Sequence, residues 1–214
     1  MHKALLAAAA TAAAVSVFAF PAIAQDAKMS FFVTSVGLGD GANLGGLEGA
    51  DAQCLKLAEA AGSTGMEWKA YLSAEGVNAK DRIGAGPWAN AKGVVVATDV
   101  ANLHSDANNL NKDTALTEAG AVVSGRGDTP NQHDILTGTN ADGTLAAGQT
   151  CADWTTSGAE GSAMLGHHDR MGPETLPTGT SWNAAHASRG GCGQEALIGT
   201  GGNGYFYCFG TIKP

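Results

Sequence analysis

Four cysteines behind an export signal constrain this chain more than any other feature of its sequence. Cys54, Cys151, Cys192 and Cys208 are an even set. In an oxidising compartment they point to two disulfides, for which three pairings are open. No pair has CxxC spacing, which argues against a zinc–thiolate site. The compartment is read from the N-terminus. Met1-His2-Lys3 gives a short positive start, an apolar run extends from Ala4 to Phe20, and Pro21-Ala22-Ile23-Ala24-Gln25 follows. Ala22 and Ala24 supply the small side chains that signal peptidase requires, so cleavage is expected after Ala24. The competing reading is a retained membrane helix, but the stretch is rich in Ala, barely long enough to span, and ends in a cleavage site. The expectation is therefore a signal peptide at 1–24 and a single domain at 25–214, periplasmic or secreted. No membrane span is expected after cleavage, because Gly, Asp and Asn interrupt every later apolar run.

A formal net charge of −8, with no Lys/Arg cluster, argues against nucleic acid or anionic lipid as a partner. The 31 glycines, often beside Asn or Asp, describe a loop-rich fold. Within it, Ser30–Ser35 reads as an opening strand. Ala50, Cys54, Leu57, Ala58 and Ala61 recur at helical steps, and Gly62 stops that helix. Trp68–Ser73 alternates as a half-buried strand, Asn78–Ile83 suggests a helical turn, and Gly93–Thr98 reads as a fully buried strand. Residues 99–134 are polar and irregular. Ile135–Thr139 is a strand closed by the hairpin chemistry of Asn140-Ala141-Asp142-Gly143. Cys151–Thr155 reads as another strand, and Tyr205–Phe209 as a terminal aromatic one. Gly201-Gly202-Asn203-Gly204 lacks the following helix and Lys-Ser/Thr of a phosphate loop and reads as a turn into that last strand.

In order along the chain, several blocks resemble endostatin-like domains of the C-type-lectin-like superfamily. They are Gly49-Ala50-Asp51-Ala52-Gln53-Cys54, Trp68–Ser73, Thr137-Gly138-Thr139 with Asp142-Gly143, Cys151-Ala152-Asp153-Trp154, and Cys192 with Tyr207-Cys208-Phe209. Exported bacterial proteins labelled lectins are similar again at Ala163–Arg170, at Ser181-Trp182-Asn183 and at Gly201-Gly202 through Phe209. The likeness covers roughly residues 44–209. It implies an α+β fold with an irregular, mainly antiparallel sheet, one or two helices and long loops. It also implies two nested disulfides, Cys54 with Cys208 and Cys151 with Cys192.

Trp182 and Asn183 are the sugar-binding candidates. Calcium-dependent lectins carry Trp-Asn-Asp late in the domain, but here Ala184 replaces the Asp. A hard cation wants six to eight oxygens, so calcium-independent binding is expected. The bland alternative makes Trp182 a core residue. His167, His168, Asp169 and His186 form a second constellation. Adjacent histidines on a strand face opposite ways, so one of the pair would join a common site. His186 with Asp169 would suit Zn²⁺ or a general base, but histidines held by loop hydrogen bonds are commoner and no HExxH spacing is present. No metal, no cofactor and no catalytic residue is expected. Arg170 and Arg189 would orient acidic loops or contact an anionic ligand. No Gly-x-Ser-x-Gly element or free thiol offers a nucleophile.

Three functions follow from these readings. The first is an exported carbohydrate- or surface-binding module, not an enzyme, whose glycan or cell-surface ligand meets the stretch from His167 to Arg189. The second is a structural or adhesive domain that binds a protein partner without a glycan. The third is a metal-assisted hydrolase around Asp169 and His186. A shared scaffold does not decide among them.

Overall fold

The computed structural model describes residues 28–173 and 175–212, and the signal peptide read at 1–24 lies outside them. In chain order the elements are β1 (Phe31–Val33), α1 (Gly46–Ala60), β2 (Met66–Ala70), β3 (Trp88–Ala89), β4 (Val95–Ala97), α2 (Val100–Leu103) and β5 (Asp134–Leu136). They continue with α3 (Cys151–Trp154), β6 (Met164–His167), β7 (His186–Ala187), α4 (Gln194–Thr200) and β8 (Gly202–Ile212). The fold is α+β. A six-stranded sheet runs β1-β8-β5-β6-β7, with β2 also paired to β8, and β3-β4 form a separate hairpin. The pairings are antiparallel except β5 with β8, which makes the sheet mixed.

β8 organises everything else. Phe209 pairs with Phe31 of β1 on one edge and with Lys69 of β2 on the other. Nearer its start, β8 runs parallel to β5, with Gly202 opposite Asp134 and Phe206 opposite Leu136. Its side chains alternate between two cores. Phe206 and Cys208 join Phe32, Trp68, Ala70, Leu136 and the buried face of α1. Tyr205, Tyr207 and Phe209 join Phe31, Val33, Tyr71, Trp88, Ile135 and Trp182 on the opposite side. A sheet covered on both faces explains why Tyr205-Phe206-Tyr207-Cys208-Phe209 runs on without a charged or amide side chain between its aromatics.

α1 buries Ala50, Cys54, Leu57 and Ala58 as its periodicity predicts, whereas Ala61, the last residue of the expected face, is its exposed C-cap. Its end is a Schellman turn: Gly62, at φ 83°, donates to Glu59 O, and Ser63 donates to Ala58 O. Asp51 on α1 accepts both hydrogens of a forked Arg82 contact at 2.8 Å and the Ala70 amide at 2.8 Å, tying the helix to β2 and to the 3-10 turn Ala79–Asp81. That turn lies within the Asn78–Ile83 segment expected to coil, and the Asn140–Gly143 turn also forms, with Gly143 donating to Asn140 O.

Three expectations are corrected. The segment Cys151–Thr155 is not a strand. Cys151, Ala152, Asp153 and Trp154 have φ of 49°, 51°, 54° and 66°, a single left-handed turn. Such a backbone costs roughly 1–2 kcal/mol per non-glycine residue. Here several contacts fix it. Thr150 Oγ1 accepts the Asp153 amide, Asp153 Oδ1 accepts the Glu75 amide, and the Trp154 indole donates to Ser73 O at 2.8 Å. The second correction concerns Gly93–Thr98, which is only half a buried strand, because Val94 and Val95 are 41% and 40% exposed. The third concerns the helices, which number four among the described residues. Only α1 and α4 exceed four residues.

The bridges are Cys54–Cys208 and Cys151–Cys192, and no described cysteine is free. The outer bridge pins α1 to the middle of β8 across 154 positions, and the inner one anchors the left-handed turn. No helix among the described residues is long and apolar enough to cross a membrane. Closing a loop this long stabilises by about 4–5 kcal/mol in the chain-entropy model. We therefore expect Cys54→Ser to lower the denaturation midpoint far more than any exposed substitution does, and thiol titration of the oxidised protein to find none free.

Candidate functional site

The stretch from His167 to Arg189 divides between the core and a polar cluster. Trp182 is 3% exposed. Its ring packs at 4.8 Å from Tyr71 and 5.3 Å from Tyr207, and its indole donates to Leu103 O at 3.1 Å. An indole so enclosed has no free face for a sugar ring, so the stacking role considered for it is corrected to a packing role. Asn183 is 1% exposed. Its amide nitrogen donates to Tyr71 Oη, Asn140 O and Ala141 O, and its Oδ1 accepts from Ser181. Its backbone carbonyl accepts from both Thr137 and Thr139. Gly166 makes this close approach possible, since a Cβ there would stand 1.8 Å from Trp182 O.

The histidines separate as strand alternation requires. His168, fully buried, turns toward Ser124, whose carbonyl accepts from its Nε2 at 3.3 Å. Burial holds its pKa below the usual value, and so it stays neutral. His167 faces the other way and meets two residues that sequence reasoning did not single out, His133 and Asp134. Asp134 opens β5, where it is paired with His167 of β6 on one side and Gly202 of β8 on the other. A Cβ on Gly201 would lie 3.3 Å from Asp134 Oδ2, so the bare Gly201-Gly202 backbone leaves room for the carboxylate.

Three imidazoles converge on that carboxylate. His167 Nε2 is 3.1 Å, His133 Nε2 3.2 Å and His186 Nε2 3.6 Å from Asp134 Oδ1. His167 Nε2 and His186 Nε2 are 3.0 Å apart. The rings of His133 and His167 stack at 4.1 Å. None of the three contacts to Asp134 has hydrogen-bond alignment, and both of its oxygens are buried without a hydrogen-bond partner. One ligand atom from each of His133, Asp134 and His167 lies within 4.8 Å of the others, and all three residues are buried. His186 adjoins from the solvent side, with its side chain 19% exposed.

The anticipated partnership of His186 with Asp169 does not form. Asp169 instead faces His133 Nδ1 at 3.4 Å and accepts the amides of Arg126 at 2.6 Å and Met171 at 3.0 Å. Burial opposes its charge, but the His133 contact and these amides outweigh it and hold the carboxyl at about 2. Burial also works against a charged His167, yet the Asp134 carboxylate and the Gly179 carbonyl raise its pKa overall. Arg170 reaches Asn108 Oδ1 at 3.0 Å, and exposed Arg189 donates to Thr200 O at the end of α4. Among the described residues, neither arginine contacts the imidazole cluster. The sequence held one signal for His133-Asp134: a polar, metal-ligating pair running straight into the apolar Ile135-Leu136 of a buried strand.

No known protein family's sequence profile matches the chain, and no curated protein matches it.

Trp182→Ala should cost about 3–5 kcal/mol in equilibrium unfolding, the range for truncating a core aromatic. A second measurement concerns His104, whose Nδ1 donates to Val100 O while its Nε2 accepts from Tyr71. Burial is the main cause of its lowered pKa; the Val100 carbonyl opposes the shift, Lys80 adds to it and Asp142 opposes it weakly. The unfolded chain therefore takes up that proton first. Stability from this group is complete above the unfolded value of about 6.5 and declines as pH falls below it. Urea midpoints at pH 7.5 and 5.5 should show the drop, and His104→Asn should shrink it.

Proposed function

We propose that this chain is an exported binding module on a C-type-lectin-like, endostatin-like scaffold, directed at glycans or another cell-surface ligand without calcium. The observation that carries the reading is the nested pair of bridges, Cys54–Cys208 around Cys151–Cys192, set among the ordered motifs that resemble this superfamily. Two disulfides and an N-terminal export signal support a periplasmic or secreted location. Calcium independence is supported by Asn183, whose carboxamide is spent on Tyr71, Ser181 and two loop carbonyls, and by Ala184, which offers no oxygen beside it.

Contact with the ligand falls to groups that remain accessible: Arg189, the edge of His186, and the exposed loop after Arg170, where Met171 is 52% exposed. Trp182 and Asn183 act behind this face by holding its backbone. Loops carried on a rigid sheet suit such recognition. Binding, and not turnover, is the reading, and it is supported by Asp169, whose carboxyl is held at about 2 and is committed to His133 and to the amides of Arg126 and Met171.

The test is a glycan array with the oxidised protein, run with added Ca²⁺ and again with a calcium-selective chelator. A restricted set of glycans bound equally in both arms is the expected result. Binding lost on calcium removal would overturn the calcium-independent reading. An empty array from folded protein would favour a structural or adhesive domain that binds a protein partner.

A further inference from the structure

We propose that His133, Asp134, His167 and His186 bind one divalent transition-metal ion of the zinc class, with His186 as the ligand on the solvent side. The argument begins with protons. His167 Nδ1 lies 2.6 Å from Gly179 O, and His186 Nδ1 lies 3.1 Å from Ala187 O. Both partners are carbonyls, which only accept, so both Nδ1 atoms carry hydrogen. His133 Nδ1 faces the Asp169 carboxylate, which sets the same tautomer. Each neutral ring then presents a bare Nε2 lone pair; those of His167 and His186 are directed at one another at 3.0 Å, and all three nitrogens lie within 3.6 Å of Asp134 Oδ1, itself an acceptor. Lone pairs meeting at 3.0–3.6 Å repel unless a positive centre lies among them.

The spacing suits a metal. Zn²⁺ binds imidazole nitrogen and carboxylate oxygen at about 2.0–2.2 Å, which places tetrahedral neighbours about 3.3–3.5 Å apart. The separations from Asp134 Oδ1, 3.1 Å to His167, 3.2 Å to His133 and 3.6 Å to His186, lie about that value, as does the 3.0 Å between His167 and His186; His133, Asp134 and His167 are the mutually close set, and His186 closes on it from the solvent side. The donor set of three imidazoles and one carboxylate suits Zn²⁺, Cu²⁺ or Ni²⁺, whereas Ca²⁺ and Mg²⁺ want a shell of oxygens. The surroundings fit as well. Metal-bound histidines donate their other nitrogen to a carbonyl or carboxylate, which is the arrangement of Gly179, Ala187 and Asp169 here. Four protein ligands close the coordination sphere, so the ion acts as a clip joining β5, β6 and β7 and does not activate water.

A proton is the rival positive centre, since a protonated His167 would also satisfy Asp134. The experiment separates them. Oxidised protein stripped with chelator is titrated with Zn²⁺ and Co²⁺, with no glycan present, so the result is independent of the ligand reading above. The expected result is one equivalent bound, a rise in melting temperature with Zn²⁺, and the visible absorption of tetrahedral Co²⁺. Asp134→Asn and His167→Gln should weaken Zn²⁺ at least a hundredfold, and Asp169→Asn by about ten- to a hundredfold. Should the buried variants not fold, His186→Ala, at the accessible edge, should still fold and bind at least tenfold more weakly. His104→Gln, remote from the cluster, should bind as the parent does. Folded parent protein that takes up no Zn²⁺ overturns the proposal in favour of a proton-held pair, as does undiminished binding by His186→Ala.

Discussion

The structure depends on β8 being a strand with both edges and both faces occupied. β1 and β2 flank its second half, β5 runs beside its first, and its side chains divide between two cores. Cys208 then fixes the strand covalently to α1. An edge-saturated central strand leaves its backbone groups paired within the sheet, which is what allows an aromatic run to be buried without orphaned amides. The loops that make up much of the chain hang on this strand and complete its pairing where they leave the sheet: Thr34, just past β1, donates to Phe206 O and accepts the Phe206 amide, and Tyr71, just past β2, donates to Tyr207 O.

What was legible in the sequence follows from range. α1 could be read because its buried positions recur locally and Gly62 marks its end, and β8 because four aromatic residues and a cysteine in succession leave few alternatives. The bridge partners came from likeness to other domains; spacing alone left three pairings. Cys151–Trp154 was misread because aromatic and apolar neighbours suggest a strand, while the determinants of its left-handed turn come from Ser73, Glu75 and Cys192, far off in sequence. His133 and Asp134 were missed for the same reason. Nothing near them announces that His167 and His186 will be brought alongside by β6 and β7.

The stretch His167–Arg189 keeps its importance, but its parts exchange roles. The residues resembling a sugar site, Trp182 and Asn183, turn inward and stitch the β5–β6 region to Tyr71 and Tyr207. The histidines, which looked like ordinary loop residues, gather around a buried carboxylate. A polar cluster with unmatched acceptors is expensive in a protein interior unless something balances it. Gly179, in the loop after Arg170, takes the His167 Nδ1 contact at 2.6 Å and so joins that loop to the cluster.

The outer strands of the sheet are brief. β1 has three residues and β7 two, and the longer β2 carries Glu67 and Lys69, paired with each other at 2.9 Å. Long bare edges invite other chains to add on as further strands, and short or charged ones discourage it. For a protein expected to work outside the cytoplasm, away from ATP-driven chaperones, this is a form of colloidal protection. Crowded copies meet as loops and carboxylates, with little ribbon exposed for one to extend another into a fibril.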